Sequence, residues 1–317
     1  MQAPDGSVYH KISARYFCGF ILPEEEKEDR FFTPWGSPAT ADFVAITAMA
    51  SRAFRPFDAE YADRLLEAAK KSYQFLKAHP ENHNPDQKGF RTGGYDTTDP
   101  DDRLWAAAEL WESTGDTQVL KDLETRIYSV GGNFALDWDW PEVKNLGLYT
   151  YVFSKRPGRD ETLVAKVRDN LISSADEIVK IRNKHGYGRP LGTLYYWSCN
   201  GGVARQTLNL YAAYRLSPKP EYLETALDSI NHLFGRNCYG RSFVTGLGDR
   251  PPMHPHDRVS GGDKVVDPWP GYLVGGSHPG ATNWQDVEED FRTNEIAINW
   301  NAALIYALAA FVDAQGQ

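Results

Sequence analysis

Apolar residues recur at helical spacing along most of the chain, with polar residues between them. In the first such segment Val44, Ile46 and Met49 fall near this spacing, and Thr40 precedes them as a potential N-cap. The pattern predicts nine helices, at residues 37–54, 58–76, 101–114, 117–128, 141–153, 161–184, 201–215, 220–234 and 294–312.

Strand signals are few, and the clearest is the short segment 241–246 between glycines. The rest of residues 235–290 is predicted to be one long loop rich in Pro, Gly, His and Trp. Loops of that length tend to carry function, so we expect the functional site there. Helical hairpins joined by short turns at one end and long loops at the other favour an all-α toroid, with residues 1–317 as a single domain.

Composition and charge exclude several partners. The chain has 317 residues, 41 % apolar and 24 % charged, which is typical of a folded globular protein. Its 43 acidic residues outnumber 34 basic ones, and the net charge of -9 repels nucleic acid and anionic lipid. No segment approaches the ~18–20 apolar residues that a membrane span needs. The first residues, 1–11, lack the features of a signal peptide.

The densest polar stretch of the long loop contains His254, His256 and Arg258 between prolines. These side chains form a cluster of hydrogen-bond donors that could orient a hydroxylated or anionic substrate. A metal site is the weaker interpretation, because no further His or Cys stands at ligand spacing.

Glu295 is predicted in the first turn of the last helix, where the long loop ends. Two interpretations stay open. The carboxylate could simply complement the helix dipole, or apolar neighbours could raise its pKa so that it donates a proton near neutral pH.

An acidic run at residues 95–102 places four carboxylates at a helix start. Such charges repel one another unless a cation is present, and Ca²⁺ binds carboxylate and main-chain oxygens. Solvated acids at a helix N-terminus are an equally good explanation.

Aromatic residues make up 13 % of the chain. Tryptophan offers a flat apolar face, which suits a core or the apolar face of a sugar ring. The candidates for sugar stacking in or beside loops are Trp197, Trp269, Trp284 and Trp300.

Several long motifs together resemble the catalytic domains of family 9 glycoside hydrolases. They are VYHKI at 8–12, ATADFVAITAMASR at 39–52, NCYGRSFVTG at 237–246, PPMHPHDR at 251–258, PWPGYLVGG at 268–276 and TNEIAINWNAALIYALA at 293–309. The resemblance covers nearly the whole chain. It is strongest to the bacterial endoglucanase subgroup that often carries an immunoglobulin-like domain ahead of the catalytic domain.

This resemblance implies an (α/α)6 barrel of about twelve helices and a secreted enzyme that cuts internal β-1,4-glucosidic bonds with inversion. Glu295 resembles the general acid, and His256 and Arg258 resemble residues that bind the glucosyl units beside the cut. Further predicted substrate contacts are Trp197, Trp269, Trp300 and His254. A structural Ca²⁺ site is implied at Thr97, Thr98, Asp101, Asp102 and Asp139, and no organic cofactor is expected.

One departure from the family pattern affects the chemistry. Inverting enzymes need a second carboxylate as base, which in this family lies in an Asp-Ala-Gly-Asp motif, and residues 1–317 contain no such motif. Nine predicted helices instead of about twelve also indicate an incomplete barrel that lacks its N-terminal helices. We therefore expect a truncated catalytic domain that hydrolyses cellulose poorly or not at all.

The predicted partner is a β-glucan or a cello-oligosaccharide, together with an accessory domain or a missing N-terminal segment. Two other functions fit the same sequence. One is a barrel that binds glucan without cutting it, and the other is an exo-acting β-glucosidase or glucosaminidase of the same family.

Overall fold

The computed structural model describes residues 1–313, which are mostly helical, and the all-α prediction is confirmed. Eleven helices lie in this range: α1 (Ser37–Phe54), α2 (Ala59–Ala78), α3 (Pro100–Thr114), α4 (Thr117–Val130), α5 (Lys144–Phe153), α6 (Glu161–Asn183), α7 (Cys199–Leu216), α8 (Pro220–Leu233), α9 (Arg258–Gly262), α10 (Phe291–Asn294) and α11 (Ile298–Asp313). Two short antiparallel strands are β1 (Ile12–Ser13) and β2 (Phe31–Phe32). Within 1–313, no helix is both long enough and apolar enough to cross a membrane.

Residues 1–17, 28–134 and 139–170 form one compact unit. Its central helix is α3, in which every position from Asp101 to Trp111 is buried, and α1 packs against both α2 and α3. Local chemistry sets the ends of these helices. The Asp58 carboxylate accepts the Tyr61 N–H at the start of α2, and Gly115 ends α3 in the left-handed conformation.

Residues 18–27, 135–138 and 171–313 form a second compact unit, in which α7 packs against α8 and α11. Its core includes Val203, Leu273 and Trp300. A Cβ added at Gly201 would lie 2.6 Å from Cδ1 of Trp300, so the absence of a side chain at this position lets the indole pack directly on the α7 backbone.

Two predicted helix starts are wrong. The fifth helix begins at Lys144 and not at 141, because residues 139–142 form a turn in which the Glu142 N–H bonds to the Asp139 carbonyl. The last helix begins at Ile298 and not at 294. Glu295 is therefore not in a first helical turn but has extended backbone, with φ −67° and ψ 153°.

The predicted strand at 241–246 is also wrong. Its main-chain N–H groups bond to different segments: Ser242 to the Asp249 carbonyl, Phe243 to that of Leu233 and Thr245 to that of Tyr272. Only an isolated bridge between Val244 and Leu273 has strand geometry here. The rest of 235–290 is loop, interrupted by α9.

Candidate active site

Three segments of the second unit meet around Glu295 and hold its main chain on both sides. The His256 N–H donates to the Asn294 carbonyl at 2.8 Å, and the Gly275 N–H donates to the Glu295 carbonyl at 2.9 Å. The Gly276 N–H donates to the Thr293 carbonyl at 2.9 Å. The backbone that carries Glu295 is thus fixed by the 254–258 segment on one side and the 274–276 segment on the other.

Asp286 ties this arrangement together, and our sequence analysis missed it. Its carboxylate accepts hydrogen bonds from the main-chain N–H groups of Met253 and His254 at 2.9 Å each, and it pairs with Arg241 at 3.3 Å. The buried Asn294 side chain donates to the His254 carbonyl. The two main-chain amides that donate to this carboxylate are more than thirty residues away in sequence. No local sequence pattern indicates such a contact, so only the fold reveals it.

The Glu295 carboxyl is half-buried and accepts a hydrogen bond at Oε2 from Nε1 of Trp197, at 3.1 Å. Burial raises the pKa of Glu295, while His256, the Trp197 hydrogen bond and Arg258 act in the opposite direction. The raised pKa favours a protonated carboxyl, as a proton donor requires. The alternative that Glu295 only complements a helix dipole loses its basis, because Glu295 lies outside the helix.

The segment 254–258 (the histidine–arginine segment) lies beside Glu295, because His256 and Glu295 pair as an isolated parallel bridge. Nδ1 of His256 lies 2.6 Å from the Glu288 carbonyl, which can only accept, so Nδ1 carries a proton in this contact. The Arg258 Nε donates to the Cys18 carbonyl at 3.1 Å. His254 is exposed and is held through its main chain. The 254–258 segment and Glu295 thus lie next to each other in the second unit, and the roles of these residues stay predictions.

The four candidate tryptophans divide into two pairs. Trp197 and Trp269 are 49 % and 60 % exposed and are available for stacking. Trp284 and Trp300 are only 6 % and 5 % exposed and pack in the core of the second unit. The expected sugar contact at Trp300 is thus replaced by a packing role, because its indole lies against Gly201 of α7.

The predicted calcium ligands lie in the first unit, and only some of them contact the same segment. The Thr97 hydroxyl contacts the Pro141 carbonyl at 3.2 Å, and Asp101 accepts the Val143 N–H at 2.6 Å, so both touch the segment that follows Asp139. Asp102 instead faces Asp42, and its buried Oδ2 has no hydrogen-bond partner other than that carboxyl. Across residues 1–313, no three His, Cys, Asp or Glu side chains form a metal-binding group.

These oxygens nevertheless fit a hard cation in their chemistry. Burial raises the pKa of Asp102, and the neighbouring carboxyls of Asp42 and Asp101 raise it further. A cation here would relieve that repulsion, and the main-chain oxygens of Thr97 and Thr98 would have to complete its ligand set.

Comparison with known proteins identifies the class to which this fold and site belong. The model of the family described as "Glycosyl hydrolase family 9" matches residues 1–308, and the chain belongs to this family. It is 57 % identical over 316 residues to Endoglucanase D of Acetivibrio thermocellus, covering 99 % of this chain and 51 % of that protein. The chain thus spans about half the length of this curated relative.

Solved structures agree in fold. A metagenome-derived glycoside hydrolase family 9 endoglucanase superimposes with a TM-score of 0.91 at 34 % identity, over 98 % of this chain and 59 % of the other. The structure of AaCel9A in complex with cellobiose-like isofagomine gives 0.90 at 29 % identity, over 99 % and 62 %. The predicted fold class, that of the (α/α)6 glycoside hydrolases, is confirmed.

Proposed function

We propose that this chain supplies the general acid of an endo-acting site. This site hydrolyses β-1,4-glucosidic bonds in cellulose or related β-glucans with inversion. The observation that carries the proposal is the half-buried Glu295 carboxyl, which accepts a hydrogen bond from Trp197 and lies on a backbone paired with His256. Burial raises the pKa of this carboxyl. In this role Glu295 protonates the leaving glycosidic oxygen. His256 and Arg258 present donors to the hydroxyls of the sugar next to it.

The exposed aromatic rings support a polymeric glucan as the substrate. Trp197 and Trp269 present flat faces to solvent, and such faces stack on the apolar faces of glucosyl rings. Since a cellulose chain is too large to enter a cell, we also propose a secreted, extracellular location. An accessory domain or an additional N-terminal segment stays a prediction from the resemblance.

We assign no residue the role of catalytic base, because residues 1–317 contain no Asp-Ala-Gly-Asp motif. Without a base that activates water, hydrolysis loses a factor of roughly 10²–10⁴. We therefore expect residues 1–317 alone to release reducing ends from carboxymethylcellulose only slowly. A rate typical of an intact endoglucanase would refute this part of the proposal.

The role of Glu295 as general acid can be tested in the absence of a base by supplying azide as an external nucleophile. Azide would attack the anomeric carbon from the face opposite the leaving oxygen, forming a C–N bond as the C–O bond breaks, while Glu295 gives its proton to that oxygen. The expected product from a cello-oligosaccharide is the α-glycosyl azide.

A matched pair of variants makes this test specific. Glu295→Gln should abolish azide product while retaining cello-oligosaccharide affinity in calorimetry, and Glu289→Gln, at an exposed glutamate nearby, should change neither. Equal product from wild type and Glu295→Gln would refute the acid role. Binding without any azide product in wild type would instead support the glucan-binding barrel.

We also propose that Ca²⁺ binds near Thr97, Thr98, Asp101, Asp102 and Asp139. The support is the all-oxygen donor set and the buried Asp102 carboxyl, whose neighbours Asp42 and Asp101 are also acidic. Bound Ca²⁺ would join the 97–102 segment to the 139–143 turn. No proposed catalytic step uses these residues, so the role would be structural.

A further inference from the structure

The indole of Trp197 is fixed in place by its surroundings although it is half exposed. Ser198, the next residue, has a left-handed backbone with φ 77°, and the Cys199 N–H bonds back to the Tyr196 carbonyl at 3.0 Å. The ring of Phe291 meets the indole edge-on, with centroids 6.0 Å apart. A tight turn and a ring contact therefore orient the indole in the absence of a ligand.

The contact between this indole and Glu295 is directional. An indole N–H can donate a hydrogen bond but cannot accept one. Oε2 of Glu295 must therefore act as the acceptor whether the carboxyl is charged or neutral. When the carboxyl is neutral, its carbonyl oxygen is the stronger acceptor, so this hydrogen bond favours the proton on the other oxygen, Oε1.

We propose that Trp197 is a positioning residue for Glu295, whose indole N–H occupies Oε2 and thereby places the transferable proton on Oε1. The proposal deepens the proposed function and rests on Glu295 being the acid. It assigns Trp197 a second role beside sugar stacking. The main chain of Glu295 is fixed by Asn294, His256 and Gly275, so this hydrogen bond orients the carboxyl on a backbone that is already held.

The test is an NMR titration that does not depend on turnover. Glutamate labelled with ¹³C at the carboxyl carbon is followed with pH, and the Glu295 signal is assigned by its absence in Glu295→Gln. In Trp197→Phe the titration midpoint of Glu295 should move to higher pH, because a donor that stabilises the carboxylate is gone. In the control Trp140→Phe, at an exposed tryptophan of the first unit, the midpoint should not move.

A second measurement uses the native indole in case Trp197→Phe does not fold. One indole N–H signal of the wild-type protein should shift with the Glu295 midpoint and stop titrating in Glu295→Gln. If no indole signal follows Glu295, or if the midpoint is the same in folded Trp197→Phe and wild type, the proposal is overturned. Failure of the azide reaction with both titration results intact would refute the acid role alone.

Discussion

Asn294 links the 254–258 segment to Glu295 through two hydrogen bonds of opposite direction. Its main-chain carbonyl accepts the His256 N–H at 2.8 Å, and its side-chain amide donates to the His254 carbonyl. Asn294 is completely buried. The residue next to the proposed acid thus sets where the histidine–arginine segment lies.

Replacing Asn294 with Ala should destabilise the protein and weaken ligand binding. The change leaves a polar site partly unsatisfied in the interior, which costs about 1–3 kcal/mol in the free energy of unfolding. Urea denaturation measures this cost, and calorimetry with a cello-oligosaccharide measures the loss of affinity. Asn133→Ala, at an exposed position, should stay within about 0.5 kcal/mol of wild type. A similar small effect at Asn294 would contradict the role of this link.

Stability should depend on pH through Glu295 with a defined sign. Because burial raises its pKa in the folded state, the unfolded chain loses its proton first as pH increases. The stabilisation linked to the neutral carboxyl is complete below the unfolded pKa, about 4.3, and is lost as pH rises through the folded pKa.

Glu295→Gln isolates this effect, because glutamine does not titrate. The free energy of unfolding of wild type, measured relative to this variant, should therefore fall between acidic and neutral pH. Parallel urea melts of both proteins at several pH values measure the difference. A wild-type protein that gains stability relative to the variant over this range would show that the shift has the opposite sign.

Gly276→Ala should be costly for two independent reasons. Gly276 has a left-handed φ of 94°, and an added Cβ would lie 2.5 Å from the side chain of Asn200. Backbone strain and overpacking each cost about 1–3 kcal/mol. Gly186→Ala is the matched control, since nothing lies within 4 Å of its added Cβ. Thermal melts of the two variants should differ clearly, and equal melting temperatures would contradict the packing described at Asn200.

Removing Ca²⁺ should lower the melting temperature if the proposed cation site is correct. A ligand that binds only the folded state stabilises it by about 2.7 kcal/mol at a concentration 100 times its Kd. Melting in a chelator and after adding back Ca²⁺ or Mg²⁺ measures the effect. Asp101→Asn should abolish the response, whereas Asp96→Asn, at an exposed acid of the same run, should retain it. A wild-type melting temperature unchanged by chelation would refute the site.

Helical periodicity predicted the main helices well, and the errors have identifiable causes. The pattern 294–312 is apolar and helical in character, yet α11 starts only at Ile298. The main chain of residues 293–295 bonds to His256, Gly275 and Gly276 and so cannot form the first helical turn. Tertiary hydrogen bonds that join distant segments override local preference and cannot be read from local spacing.

In the candidate site, too, local motifs identified some residues, whereas residues defined by contacts between distant segments were missed. The motifs led to Glu295 and His256, which pair as a parallel bridge in the fold, and to Arg258, whose charge lowers the pKa of Glu295. Residue type alone could not separate the exposed Trp197 from the buried Trp300, because both are tryptophans. Asp286 was missed because its partners at 253 and 254 are close only in the folded chain.

Main-chain atoms, more than side chains, fix the position of Glu295, since the amides of His256 and Gly275 bond to the carbonyls of Asn294 and Glu295. Amide groups are common to every residue except proline, so the side chain at position 256 can change without removing the hydrogen bond that holds the backbone next to Glu295. Mutation could then alter which sugars the neighbouring donors accept while the proton donor keeps its place. This separation offers a route by which related enzymes could diversify, and by which a designer could retune selectivity at position 256 alone.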